Sequence, residues 1–429
     1  MSIKNVIRAH EDAYFSCLNL VASENRLSPD VTSATASDLG ARYCIPPAHE
    51  RPPAIWDYPN QHAPREVDRL AREIAMELFG GRYADCRPLS GNNAAGIVLK
   101  ALVKPGGLVL AVPADCGGHF ATEVICQDIG CELMFLAYDR TRGCIDVEAS
   151  KRATKGRHPD LIFLDASAIL FPHPVQDLRD AFGPNVPIAY DASHVMGLIG
   201  GGQFQDPLRE GADLIQGSTH KTLFGPQKAL IVCKDMDSVT ERITSGVVPL
   251  FVSNAHVHHI AALGIALEEM RDYGADYARE VVKNASALAY GLNDEGCSPI
   301  LGNHGFTRSH QVILPIGTRK EAEVAFFSLE STGLHTNCIR VPFADDEFGL
   351  RIGTAELTRR GFGENEMREI ARLFVDVIRE RRTILKVRQD VASLSGAFRG
   401  IFFWNGADDS HARRHIFDVT QGERDHALA

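Results

Sequence analysis

The sequence lacks the features that would point to a membrane, nucleic-acid or zinc function. No apolar run reaches membrane-spanning length, and there is no low-complexity tract or internal repeat. Positive charge is not in excess: 45 lysines and arginines against 55 aspartates and glutamates leave a net charge of -10. That balance argues against a nucleic-acid or anionic-membrane surface. The short basic run Arg379-Glu380-Arg381-Arg382 falls in a stretch that reads as helical, and a solvated face is expected there. Ten cysteines, at 17, 44, 86, 116, 126, 131, 144, 233, 297 and 338, contain no Cys-x-x-Cys pair, which fits reduced thiols better than disulfides or zinc. The polar start Met1 to Asn5 shows no apolar signal region, so a cytoplasmic protein is expected.

What is present is an ordinary globular composition, 45% hydrophobic and 23% charged, in a chain long enough for two or three domains. Val67, Leu70, Ala71, Ile74, Ala75, Leu78 and Phe79 at helical spacing, stopped by Gly80-Gly81, predict a helix over 65–79. Continuous apolar runs at Leu108–Val112, Leu133–Ala137, Leu161–Leu164, Ile188–Tyr190, Leu214–Ile215 and Leu230–Val232 alternate with connections. That pattern predicts an α/β fold with a mostly parallel sheet buried on both faces. After about residue 280, helix and strand patterns at Val281–Leu292, Val312–Pro315, Glu321–Thr332 and Gly349–Thr354 predict a smaller α+β domain. The division expected is therefore an arm over 1–30, a large domain over 31–280 and a small C-terminal domain over 281–429. In the tail, Phe398, Phe402, Phe403 and Trp404 are expected to dock and the polar end to fray.

The chemistry is carried by the strand ends, because ligands of a parallel sheet sit beyond the C-termini of its strands. Cys116-Gly117-Gly118-His119, Asp165-Ala166-Ser167, Asp191-Ala192-Ser193-His194 and Ser218-Thr219-His220-Lys221 each follow a strand and should converge on one cleft. Lys221 stands in a tight polar turn closed by Gly225-Pro226, where burial can lower an amine's pKa and make it a Schiff-base nucleophile for pyridoxal phosphate. Asp191 suits the pyridine nitrogen, His119 can stack on the ring, and Ser167 or His194 can meet its phenolic oxygen. Ser90-Gly91-Asn92 opens a helix and offers free N–H groups to a phosphate. Arg351, in a strand-like run, can clamp a carboxylate, and Ser23 and Glu24 are either cap or substrate contacts. Ser253-Asn254-Ala255-His256-Val257-His258-His259 invites a metal reading. It leads into a helix over Ile260–Met270, where the histidines are expected to pack or cap, and no metal is expected.

Taken together, Val21 to Asn25, Gly117-Gly118-His119, Asp191 to Ile199, Gly202 to Leu208, Gly217 to Pro226, Arg351-Ile352-Gly353-Thr354 and Leu357 to Phe362 closely resemble serine hydroxymethyltransferase, in order and over almost the whole chain. The resemblance implies a fold-type-I pyridoxal phosphate enzyme acting on an amino acid, and a homodimer with its sites at the interface. It makes Lys221 the Schiff-base lysine, Asp191 the pyridine partner and His119 the stacking residue, with Ser167 and His194 beside the phenolic oxygen. Ser218 and His220 fall in the same cofactor-binding turn, and Ser90, Gly91 and Asn92 match the phosphate cup. Ser23, Glu24 and Arg351 fall in the substrate-carboxylate region. Tyr43 and Tyr58 match two tyrosines that the partner subunit supplies.

The departures gather on one side. Where the family reads Tyr-x-Glu-Gly, this chain reads Tyr43-Cys44-Ile45-Pro46, so the glutamate that handles the substrate hydroxyl proton and touches folate is absent. The Pro-rich stretch Pro46 to Asn60 replaces a shorter segment, Gln227 stands for an arginine, Asn92 for a serine, and the pterin loop is shortened around Val341 to Phe348. The expectation is aldol or transaldol chemistry on a β-hydroxy amino acid without the folate step, with His49 or Glu50 as candidate replacement bases. The alternatives are the folate-dependent parent reaction, β-elimination or decarboxylation of an S-substituted cysteine, and a silent dimeric scaffold.

Overall fold

The computed structural model describes residues 2–46 and 56–406. Its first helix, α1 (Ile3–Tyr14), is opened by Ser2, whose hydroxyl accepts from the Asn5 N–H. Helix α2 (His62–Phe79) buries Pro64, Ala71, Ile74, Ala75 and Phe79 and ends at Gly80, whose φ of 70° closes it in the left-handed conformation. It begins three residues before the position expected from periodicity, because a proline in the first turn has no N–H to lose.

The large sheet has seven strands: β1 (Tyr83–Asp85), β2 (Leu108–Ala111), β3 (Glu132–Phe135), β4 (Leu161–Leu164), β5 (Ile188–Asp191), β6 (Leu214–Ser218) and β7 (Ala229–Cys233). Their spatial order is β1-β7-β6-β5-β4-β2-β3. Pairing is parallel from β3 to β6, and β7 runs antiparallel to both β6 and β1. β2 and β4 are buried at every position, as strands covered on both faces must be. β3 is an edge strand and only half-buried, and it ends two residues before the apolar run does. Helix α3 (Gly91–Leu102) packs on this sheet with its N-terminus at the strand ends.

The longest element is α4 (Val257–Asp294), 38 residues without a break. The sequence pattern suggested two helices here. The charged stretch between them remains helical because Gly274, Tyr277, Ala278 and Val281 keep the buried spacing while Arg271, Asp272, Asp276 and Arg279 face solvent. Val281 belongs to the core of the large sheet and Ala285 to a second core, so the change of core falls inside the helix. The second core is built on an antiparallel sheet of β8 (Gln311–Gly317), β9 (Asn337–Arg340) and β10 (Phe348–Gly353), with β10 central. It is covered by α5 (Arg319–Thr332), α6 (Glu364–Ile378) and α7 (Ile384–Ala397). Leu18 and Leu20 enter this core as well, and Leu18–Asn19 pairs in parallel with Leu334–His335.

The basic run departs from its helical reading. α6 ends at Ile378, Glu380 takes a φ of 52°, and Arg381 and Arg382 pair with Glu295 at 2.6 Å and Asp390 at 2.7 Å across the turn. The aromatic tail docks: Trp404 is buried, and the Phe403 carbonyl accepts from Arg359 at 2.6 Å. Residues 407–429, whose fraying was expected, lie outside the described residues. Among the described residues no helix is long and apolar enough to cross a membrane.

Candidate active site

The turn after β6 is fixed by its own hydroxyls. Thr219 Oγ1 donates to the Pro226 carbonyl at 2.7 Å, Gly225 N donates to Thr219 O at 2.8 Å, and Thr222 Oγ1 donates to the His194 carbonyl at 3.0 Å. Phe224, at a φ of 53°, is held beneath the Arg359 guanidinium, whose central carbon lies 3.8 Å from the ring centre. Arg359 is itself buried and paired with Glu269 at 2.5 Å. The turn therefore presents Lys221 from a rigid base. No carboxylate ion-pairs with Lys221 among the described residues, and burial lowers its amine to about 8, with Asp191 opposing the shift and Arg351 adding to it.

Three strand ends meet this lysine. Asp191, closing β5, accepts from Ser193 N and from Gln216 Nε2, each at 2.7 Å, so only neutral donors hold its carboxylate and its charge is not cancelled. His119 accepts from the Ala121 N–H at Nδ1 (3.3 Å), which leaves the ring proton on Nε2; burial pushes the imidazole below its usual value, with Asp191 opposing. One face of its ring lies on Phe120 at 4.8 Å. Beneath it, Asp165 accepts from His119 N and from the Thr122 hydroxyl, and burial raises its carboxyl well above the usual range. His194 is buried and held neutral, mainly by burial and then by Lys221 and Arg351.

Residues far away in sequence lock these together. Gln311 Nε2 donates to His194 Nδ1 at 2.9 Å and to the Ser167 carbonyl at 3.1 Å, while its Oε1 accepts from Ile169 N at 3.0 Å. His310 stacks on His194 at 5.6 Å and donates from Nε2 to Ala22 O at 3.0 Å. Arg351 donates to Ser167 O at 2.7 Å and to Asn337 Oδ1 at 2.9 and 3.3 Å, yet it has no acidic partner among the described residues, and burial lowers it to about 10. A buried guanidinium held only by neutral acceptors is prepared for an incoming carboxylate. Ser23 lies on the segment that crosses the end of β10, where Gly353 N donates to Leu20 O at 2.8 Å. Asn25 then donates to the Lys221 carbonyl at 2.7 Å.

Three features of these residues suit pyridoxal phosphate. At the start of α3, Ser90 caps the helix through Asn93 N, and a Cβ on Gly91 would stand 2.4 Å from Ser218 Oγ and 3.5 Å from Ser193 Oγ. Glycine therefore keeps a cradle of two hydroxyls and free helix N–H groups that suits a phosphate. Asp191 offers an uncancelled carboxylate to a ring nitrogen, and Lys221 an unpaired amine to an aldehyde. His220 adds a buried Nδ1 without a partner, and burial lowers that ring to about 4. The residues fit pyridoxal phosphate.

Not every expected site residue joins this cluster. Ser167 bonds through its backbone, its carbonyl accepting from Gln311 and Arg351 and its N–H donating to Gly117 O, rather than through its hydroxyl. Glu24 accepts from Tyr14 and Asn19 rather than from any residue around Lys221. Tyr43 and Tyr58 stack on each other at 4.9 Å, and Gln61 ties the Tyr43 carbonyl at 3.1 Å, away from the Lys221 cluster's own hydrogen bonds. Tyr58 borders an open cleft of about 590 Å³, lined also by Gln61, His62, Arg65, Glu66 and Arg69. Ile45 is 5% exposed, its N–H donating to Gln61 Oε1 at 2.7 Å and its carbonyl accepting from Arg65 Nε at 2.7 Å. His49 and Glu50 lie outside the described residues. At the head of α4, the His258 and His259 rings are 4.2 Å apart, and no group of three described residues is arranged to hold a metal.

Sequence reasoning missed Asn25, Ser193, Gln216, His310, Gln311 and Asn337. The first two stand inside recognised motifs. Gln311 and Asn337 carry no local signal, because only the fold brings their strands to His194 and Arg351.

Three comparisons bear on this geometry. A family profile described as serine hydroxymethyltransferase matches residues 1–374. The chain is 38% identical over 414 residues to a serine hydroxymethyltransferase of Methanopyrus kandleri, covering 95% of each. It is 36% identical over 409 residues to a fluorothreonine transaldolase of Streptantibioticus cattleyicolor, covering 93% of this chain and 63% of that protein. The crystal structure of an L-threonine transaldolase from Pseudomonas fluorescens, in its internal aldimine state, superposes with a TM-score of 0.91 at 29% identity, covering 98% of this chain and 96% of that one.

Proposed function

We propose a reaction for a chain that belongs to the serine hydroxymethyltransferase family and is a pyridoxal phosphate-dependent transferase of fold type I. It is aldol or transaldol chemistry at the Cα–Cβ bond of a β-hydroxy α-amino acid, without the folate-dependent step. The observation that carries the reading is Ile45: a buried apolar side chain stands where the family places a glutamate, while Asp191 and His194 beside Lys221 keep the hydrogen bonds that orient them. Ile45 cannot transfer a proton, so the step that needs that glutamate has lost its base. The resemblance to two proteins named transaldolases supports the same reading.

When bound, pyridoxal phosphate supplies a ring that accepts the electron pair left at Cα. The chain's own residues do the rest. Lys221 would hold the aldehyde carbon, Asp191 the proton on the ring nitrogen, and Ser90 to Asn92 with Ser218 the phosphate. His119 keeps its Nε2 proton and one ring face open to the cofactor. Arg351 and Ser23 would take the substrate carboxylate, which fixes the bond presented across the ring plane. Tyr43 and Tyr58 would reach the site of a second copy of the chain, in a homodimer. With Cα–Cβ aligned, the β-hydroxyl would give its proton to His49 or Glu50, the candidates for the missing glutamate's place, an aldehyde would depart, and a second aldehyde would be taken up by the reverse steps with the proton returned.

The test is to give the holoenzyme L-threonine and a second aldehyde with and without tetrahydrofolate. A new β-hydroxy amino acid formed at the same rate in both supports the proposal. Rapid glycine formation from serine that depends on tetrahydrofolate overturns it and favours the parent reaction, the second reading, which rests on relatives that carry that name. A silent scaffold is disfavoured by the intact cofactor shell around Lys221.

A further inference from the structure

Two carboxylates meet beneath the segment that carries Ser23. Glu24 Oε2 accepts from Asn19 Nδ2 at 2.9 Å and from the Tyr14 hydroxyl at 3.2 Å. Glu356 Oε2 accepts from the same amide nitrogen at 2.5 Å and lies 3.5 Å from the same hydroxyl. One phenol proton cannot serve both oxygens, and two carboxylates sharing donors this closely repel when both are ionised. Glu356 is 3% exposed and its Oε1 has no partner, whereas Glu24 is exposed.

The charged and titratable neighbours do not relieve this. Arg26 lies over the Phe15 ring at 4.7 Å, and Arg360 gives its donors to the carbonyls of Cys17, Ser395 and Phe398 and to the Ser395 hydroxyl. Neither makes an ion pair with Glu24 or Glu356. From the neighbouring strand, the His335 ring is 6.0 Å from Tyr14, and burial holds it below its usual value against the pull of Glu330 and Glu24. Tyr14 is raised by burial, then by Glu356 and Glu24. Burial likewise raises the Glu356 carboxyl, with Arg26, Asn19 and Arg360 opposing.

The pair bears on the site through the backbone. Asn19 Oδ1 accepts from Val21 N at 3.2 Å, Leu20 O accepts from Gly353 N, Ala22 O accepts from His310, and Asn25 reaches the Lys221 carbonyl. Residues 19 to 25 are thus stitched to the strand of Arg351 on one side and to the turn of Lys221 on the other.

We propose that Glu356 keeps its proton beside Glu24 and that the two act as positioning residues: with that proton in place both side chains stay on Asn19 and Tyr14 and hold Ser23 and Asn25 between Arg351 and Lys221 for amino-acid binding. This rests on the reading that Ser23 and Arg351 take the substrate carboxylate. The sign follows from the raised carboxyl: the proton-bound arrangement is intact at low pH and is lost as pH climbs above the ordinary carboxylate range.

The experiment is the KM for the amino-acid donor and kcat from about pH 5.5 to 9 in the wild-type holoenzyme and in Glu356→Gln, whose amide keeps an oxygen for Asn19 and carries no titratable proton. The wild-type KM should rise with pH about tenfold more than that of Glu356→Gln, with matching pH courses of kcat. Superimposable KM curves overturn the proposal. Should Glu356→Gln fail to fold, Glu24→Gln, on an exposed side chain, removes the charge that faces Glu356 and should move the rise of KM to lower pH, and an unmoved curve there overturns it equally. Arg351→Ala separates the two claims. Lost affinity there, with a wild-type slope in Glu356→Gln, overturns the pair alone. Unchanged affinity in Arg351→Ala overturns the carboxylate site on which it rests.

Discussion

The surroundings of Lys221 and those of Ile45 are both held by dense hydrogen bonding, but to different ends. Around Lys221 the bonds orient titratable side chains: Gln216 and Ser193 aim Asp191, Gln311 aims His194, and Ala121 sets the tautomer of His119. Around Ile45 they hold backbone only, with Gln61 and Arg65 gripping its N–H and carbonyl and leaving an apolar side chain between them. One region preserves the means to activate an amino acid at Cα. The other, in the proposed reaction, would decide what becomes of the atoms beyond Cα, and there an isoleucine stands in place of the glutamate of the family pattern.

The largest expected break in that contrast is Lys221→Ala, which should abolish turnover and the visible absorbance of the bound cofactor together; turnover surviving at wild-type rate would remove Lys221 from the mechanism. Next is Arg351→Ala. With a charge-assisted pair lost, amino-acid affinity should fall by about a hundredfold while cofactor affinity holds, as read by titration of each ligand. The pH course of cofactor capture by the apoprotein follows. With the Lys221 amine at about 8, the neutral fraction and the capture rate should rise roughly tenfold from pH 7 to 9, and a flat profile would contradict the lowered amine. In sign, a lysine depressed in the folded state contributes stability that is present above its unfolded value and lost as pH falls toward about 8. The smallest effect should come from Ile45→Ala, with cofactor affinity changed by no more than about twofold and any loss confined to the aldehyde step, because Ile45 shares no bond with the Lys221 cluster. A loss of cofactor in that variant would erase the contrast.

The cofactor side was legible because its groups sit at strand ends, where short motifs follow apolar runs: Asp191 and Lys221 each stand within a few residues of a strand that periodicity alone locates. The strand core was legible for the same reason, and its errors fall at an edge, where β3 is half-buried and its apolar run no longer marks its end. Gln311 was invisible because its position depends on how β8 meets the large sheet, and Asn337 because it depends on the register of β9 against β10, and nothing local in the chain encodes either encounter. The continuity of α4 was hidden for another reason. Its charged middle imitates a loop in composition, while every third or fourth residue still faces a core.

That helix has a thermodynamic consequence. Val257 to Asp294, at 1.5 Å per residue, form a rod of about 57 Å whose first part is cladding for one core and whose last part is cladding for the other. Melting either core strips one end of a helix whose remaining turns are marginal without tertiary support. The cost of losing one core is therefore levied on the other, and the two should unfold as a single cooperative unit, with one calorimetric transition expected in place of two.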